Sequence, residues 1–188
     1  MRDCSIKNIS TCCSVVLLLV FIVSGSACQN KQTKELDAAY EKLFTDDNAA
    51  VLFFQHPEVS SQYLLKKISY EKEPMKRAIT INLLGWLKGK GVSKELIMYT
   101  TDDNWRVRFM AIDSIVKNDN NIITLLRNTA KNDNDIRVRG RAIMGLGEVG
   151  TKEDMVFIKT LPQGKDNSIK IGLFIERAEN TFIKRVDK

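Results

Sequence analysis

The sequence predicts an all-α chain: an α-solenoid of about four to five stacked antiparallel helix pairs, with a period of about 31 residues. Three observations predict it. The first is a set of columns at fixed spacing. Arg77, Arg108, Arg139 and Lys170 each stand 31 residues from the next. Four positions before them stand Glu73, Asn104, Asp135 and Asp166. Six before stand Glu71, Asp102 and Asp133, with Gly164 breaking the column, and four after stand Ile81, Ile112, Ile143 and Phe174. The second is the chemistry of the acid and amide column. Such side chains accept from the unpaired N–H groups of a helix start, and negative charge suits the dipole there. The third is periodicity: apolar residues recur at helical spacing, as in Val138, Ala142, Ile143 and Leu146, and no segment sustains strand alternation.

In chain order, the first segment reads as an export signal spanning 1–27. Arg2 and Lys7 give a basic start, Val15 to Val23 are uninterrupted apolar residues, and Ser24-Gly25-Ser26-Ala27 is a small-residue exit. The apolar run is shorter than the ~20 residues a spanning helix needs. Ser26-Ala27-Cys28 resembles the processing site of bacterial lipoprotein precursors. That resemblance implies a diacylglyceryl group on Cys28 and a further acyl chain such as palmitate, because stable anchoring takes more than one chain. Gly25 stands where that family usually has leucine, so plain cleavage after Ala27 is the alternative. Residues 28–35 then form the lipidated N-terminus and a polar tether. The expected address is the cell envelope, and Gln29 after the cysteine favours the outer membrane in a Gram-negative cell.

Residues 36–188 form the repeat domain. A degenerate first pair falls between Leu36 and Phe54, turning at Asp46-Asp47. The first helices of later pairs carry Leu64-Leu65-Ile68, Leu96-Ile97-Tyr99, Ile123-Leu125-Leu126 and Val156-Ile158-Leu161. The second helices follow the acid columns. "DDNWRVRFMAI" and "DNDIRVRGRAIMGLGEVG" resemble HEAT repeats of the short type found in bilin-lyase-like proteins. Asp102, Asn104, Val107, Arg108 and Ala111 carry the resemblance, with Asp133, Asp135, Val138, Arg139, Ala142, Leu146 and Gly147. It implies a stack whose second helices line an extended binding surface.

Several chemistries find little support. Gly145, Gly147 and Gly150 match the spacing of a dinucleotide loop, but "DIRVRGRAIM" before them is an amphipathic helix, not a strand. The glycines are therefore expected to serve packing (Gly145) and the turn to the next unit (Gly147, Gly150). The four cysteines all lie in the first 28 residues and His56 is the lone histidine, so no metal site, cofactor or catalytic residue is expected. A net charge of +6 is modest and, with export, makes nucleic acid an unexpected partner. The basic column is expected to pair with acids such as Asp102 and Asp133. Arg106, Arg137 and Arg141 are candidates to face a partner. Trp86 and Trp105 are expected in core or inter-repeat packing. The function expected is a membrane-anchored, non-catalytic scaffold with an unknown protein partner. The alternatives are a bilin-lyase-like or chaperone-type enzyme, and a binder of nucleic acid or another anion on the basic column.

Overall fold

The structure, a computed structural model, describes residues 31–187 apart from residues 90, 120 and 162–167. The side chains of residues 47 and 168–170 are likewise not described. Cys28 and Asp166 lie outside the described residues, as does the side chain of Lys170. The chain divides into two units, Met1–Leu52 and Phe53–Lys188.

In the first unit, residues 31–42 are one helix, α1. The polar stretch expected as a tether thus enters a helix at Lys31. Leu36, Ala39 and Tyr40 recur at helical spacing and are buried. Asp46 accepts from Asn48 N at 2.9 Å and starts a 3-10 turn, Asp47–Ala50. A short helix, α2 (Val51–Gln55), spans the boundary in sequence.

The second unit is built of helix pairs. The first helices are α3 (Pro57–Ile68), α5 (Val92–Leu96) continued by a 3-10 turn (Ile97–Thr101), α7 (Ile123–Asn132) and α9 (Lys152–Lys159). The second helices are α4 (Pro74–Leu87), α6 (Trp105–Val116), α8 (Ile136–Val149) and α10 (Ser168–Val186). Each second helix packs on the next, forming a continuous layer, and the first helices pack against it. The described residues contain no strand, so the architecture is an all-α solenoid.

The starts and the core obey the period. Asn104 and Asp135 are N-caps, each accepting from the N–H two residues on at 2.9 Å. Glu73 occupies the same place without a side-chain cap, and Pro74 behind it is preset for a first helical turn. Exposed His56 precedes Pro57 in the same way. Ile81, Ile112 and Ile143 are fully buried, as are Leu84, Ile115 and Leu146. Burying one such side chain contributes about 1.5–3 kcal/mol, so one unit alone is too thin and the stack supplies the core.

Of the glycines of 145–150, Gly147 departs from expectation. Gly145 and Gly147 lie inside α8, not in a turn. A Cβ on Gly147 would stand 2.4 Å from the Ala178 carbonyl oxygen, so this residue marks where α10 crosses α8 at close range. Gly145 serves packing as well, its Cβ position lying 3.0 Å from Val116. Gly150 alone ends the helix, with its N–H on the Leu146 carbonyl at 2.8 Å and an extended backbone that any residue can adopt. No helix among the described residues is long and apolar enough to cross a membrane.

Candidate interaction surface

Two rows of side chains cross the stack, and they use charge differently. The first row is a ladder at the helix starts. Arg77 donates from Nε and Nη2 to both oxygens of Asp102 at 3.1 Å, one unit ahead. Its Nη1 reaches back to the carbonyls of Glu71 and Lys72. Arg108 repeats this on Asp133 at 2.8 Å and on the carbonyls of Asp102 and Asp103. Each aspartate also accepts at 2.8 Å from the N–H two residues on, at Asn104 or Asp135, and so shapes the turn into its own helix. The planar fork of arginine is what allows four acceptor oxygens to be held at once. The side chains are mostly buried, at 13% exposure for Arg108 and 8% for Asp133. Arg139 keeps the rear contact, Nη1 to the Asp133 carbonyl at 2.7 Å, but no described carboxylate meets its fork.

The second row is the outer face of the second helices. The same period sets its columns but fills them differently: Met75, Arg106, Arg137; Ile79, Met110, Arg141; Asn82, Asp113, Met144; Trp86, Lys117, Glu148. A continuous chain of contacts crosses three helices here. Lys117 stands 4.2 Å over the Trp86 ring and donates to Asp113 at 2.6 Å. Asp113 accepts from Arg141 at 2.7 Å, and Arg141 donates to Glu148 at 2.9 Å. Burial opposes the Asp113 charge, but hydrogen bonds and charge from Lys117 and Arg141 prevail and hold its carboxyl below the usual range.

Between α4 and α6 the face opens into a groove of about 460 Å³, within the range of ligand sites. Met75, Ile79, Phe109 and Met110 give it an apolar lining. Trp105 forms one wall, with the Arg137 guanidinium 3.3 Å and the Arg106 guanidinium 4.6 Å from its ring centroid. Asp135 grips Arg137 through both oxygens, at 2.8 and 2.5 Å, and fixes it against the indole. These hydrogen bonds from Arg137 lower the Asp135 pKa to about 2. Arg106, exposed on the rim, has no described carboxylate within 4.0 Å. The side-chain amide of Asn82, half-buried in the groove, hydrogen-bonds to no described residue.

The paired layers, the periodic caps and the arginine ladder belong together as one repeat type, and residues 61–147 match the family model for HEAT repeats. The matched stretch is a HEAT-repeat array. The matched stretch runs from within α3 nearly to the end of α8 and so contains both rungs of the ladder and the groove. HEAT arrays are scaffolds for protein–protein contact. No curated protein and no solved structure matches the chain.

Within this HEAT array the expected site residues separate. Arg77, Arg108, Asp102 and Asp133 are joined in the ladder, Asn104 and Asp135 cap helices, and Arg106 and Arg137 meet at the groove. Arg141 is a correction. It is only 4% exposed and is held by Asp113 and Glu148, so it ties α8 to α6 rather than facing a partner. Trp86 is a second correction: it is 55% exposed on the face, although Lys117 links it to the next unit. Trp105 packs between units through Arg137 but borders the groove. Asp154 was missed. Fully buried, it closes a capping box with Thr151 and accepts from Arg127 at 2.6 Å. The spacing Thr151-x-x-Asp154 is the signal that marks it. Among the described residues no group of three or more His, Cys, Asp or Glu could hold a metal ion.

Proposed function

We propose that this protein is an exported, lipid-anchored and non-catalytic interaction module of a bacterial cell envelope. Cys28 carries the lipid, and the face of α4, α6 and α8 meets a protein partner. The observation that carries the reading is the contrast between columns. The ladder places arginine at 77, 108 and 139, whereas three of the four face columns change residue type at every unit and the fourth runs Met75, Arg106, Arg137. Positions that only hold a stack together can repeat, while a surface shaped for a partner needs local variety. The basic column is a poor anion site, because Arg77 and Arg108 already have their charges met by Asp102 and Asp133.

The anchor rests on Val15 to Val23 and Ser26-Ala27-Cys28, and the non-catalytic reading on the lone His56 and the lack of a nucleophile motif. Mass spectrometry of the mature N-terminus tests the anchor: a diacylated Cys28 is expected, and an unmodified terminus contradicts it. Proximity labelling in the native envelope tests the scaffold and is expected to recover a reproducible protein neighbour. Chromophore transfer to an apoprotein by the purified chain would instead make it an enzyme of the bilin-lyase kind.

A further inference from the structure

The groove between α4 and α6 brings together three things that the rest of the face does not. It has an apolar lining of Met75, Ile79, Phe109 and Met110, and methionine adapts to varied shapes. It has one guanidinium, Arg106, with no described carboxylate partner, although its neighbours Arg137, Arg141 and Arg108 are all paired. It has one half-buried amide, Asn82, that hydrogen-bonds to no described residue and offers one acceptor and two donor protons. Arg137 cannot serve as the free cation, because Asp135 grips it through both oxygens.

Building on the interaction-module reading, we propose that this groove docks a segment of a partner protein in which an apolar side chain lies within two residues of an aspartate or glutamate. The apolar side chain enters between Met75, Ile79, Phe109 and Met110. The carboxylate pairs with Arg106 at the rim, in a charge-assisted hydrogen bond. Asn82 meets a main-chain amide of the segment, donating to its carbonyl and accepting from its N–H. This last match selects a peptide over a fatty acid, which also has an apolar body and a carboxylate but gives an amide nothing to pair with along its chain. Charge complementarity selects an acidic segment over a basic one, since a lysine beside Arg106 and Arg137 would be repelled.

The test is selection of random displayed dodecapeptides on the full-length chain in lipid nanodiscs. Enriched peptides are expected to share an apolar residue within two positions of Asp or Glu. Replacing that acid by its amide is expected to weaken binding about tenfold or more, and Arg106→Ala to do the same. The two changes together should weaken it little further, because they remove one contact. Asn82→Leu should also weaken binding with the unfolding midpoint retained. Enriched peptides lacking an acid, binding indifferent to Arg106→Ala, absence of enrichment, or saturable palmitate uptake in place of peptide binding would each overturn the proposal. The broader reading has its own readout in photo-crosslinking of the native envelope. A partner captured equally by wild type and by the Arg106→Ala, Asn82→Leu variant removes the groove and leaves the interaction module standing. No captured partner removes both.

Discussion

Arg108 and Arg106 stand two residues apart in the same helix and live in different chemistry. Arg108 points into the ladder, where its guanidinium makes four hydrogen bonds to carboxylate and carbonyl acceptors on two units. Arg106 points to the groove, where only the face of Trp105 meets it. The two differ by about 200° around a helix of 3.6 residues per turn, which places them on opposite sides. One side of α4 and of α6 ties the helix to the next unit through the same arginine–aspartate pair. The other side carries residues that mostly differ from unit to unit. The lesson is that total charge says little about function here; what matters is which charges have no partner inside the protein.

The comparison can be broken by mutation, with the largest effect on the ladder. Arg108→Ala leaves Asp133 unpaired at 8% exposure, and urea unfolding should show a loss of about 3 kcal/mol, at the lower edge of what breaking a buried pair costs. A loss below ~0.5 kcal/mol would mean that the ladder is ornament. Gly147→Val comes next. Its Cβ has no room beside Ala178, so α10 must shift, and overpacking of this kind costs roughly 1–3 kcal/mol. Melting temperature should fall, and an unchanged value would show that α10 does not cross α8 there.

Asp135→Asn has a smaller effect with a clear pH signature. Asparagine still caps α8, but it cannot hold Arg137 as a carboxylate does. The folded pKa of Asp135 is lowered from the ordinary 3.8 to about 2, so this carboxylate adds stability above pH ~4 that is lost as pH falls towards 2. Wild type should therefore lose stability across that window more steeply than Asp135→Asn. At neutral pH the pair, exposed on its arginine side, is screened by solvent and should contribute little to stability. Arg106→Ala is the smallest: with no pair to break, stability should stay within about 0.5 kcal/mol. A large loss would show that Arg106 is structural after all.

These residues were not equally legible in the sequence. The ladder could be read because a fixed period returns each side chain to the same place, so Arg77 and Arg108 announced their acceptors at Asp102 and Asp133. The fates of Arg137 and Arg141 could not. They lie four residues apart on one side of α8, and local spacing treats them alike. Asp113, 28 residues earlier and on α6, is what holds Arg141 against the neighbouring unit. Gly147 misled for a related reason: glycine near a helix end usually marks a terminator, and the backbone of Ala178 against it is a tertiary fact. Trp86 lies on a helical stripe with Met75, Ile79 and Asn82, which periodicity marks as one face without saying which face meets solvent.

The central claim is that the second-helix face, not the first-helix side, meets the partner. Position-specific photo-crosslinking in the native envelope tests it most directly. A photoreactive side chain at Met75 or Arg106 should give a discrete protein adduct, whereas one at Met98 or Val156, which are more exposed than Met75 but lie on the first-helix side, should give none. Adducts formed from Met98 or Val156 and absent from Met75 and Arg106 would contradict the account.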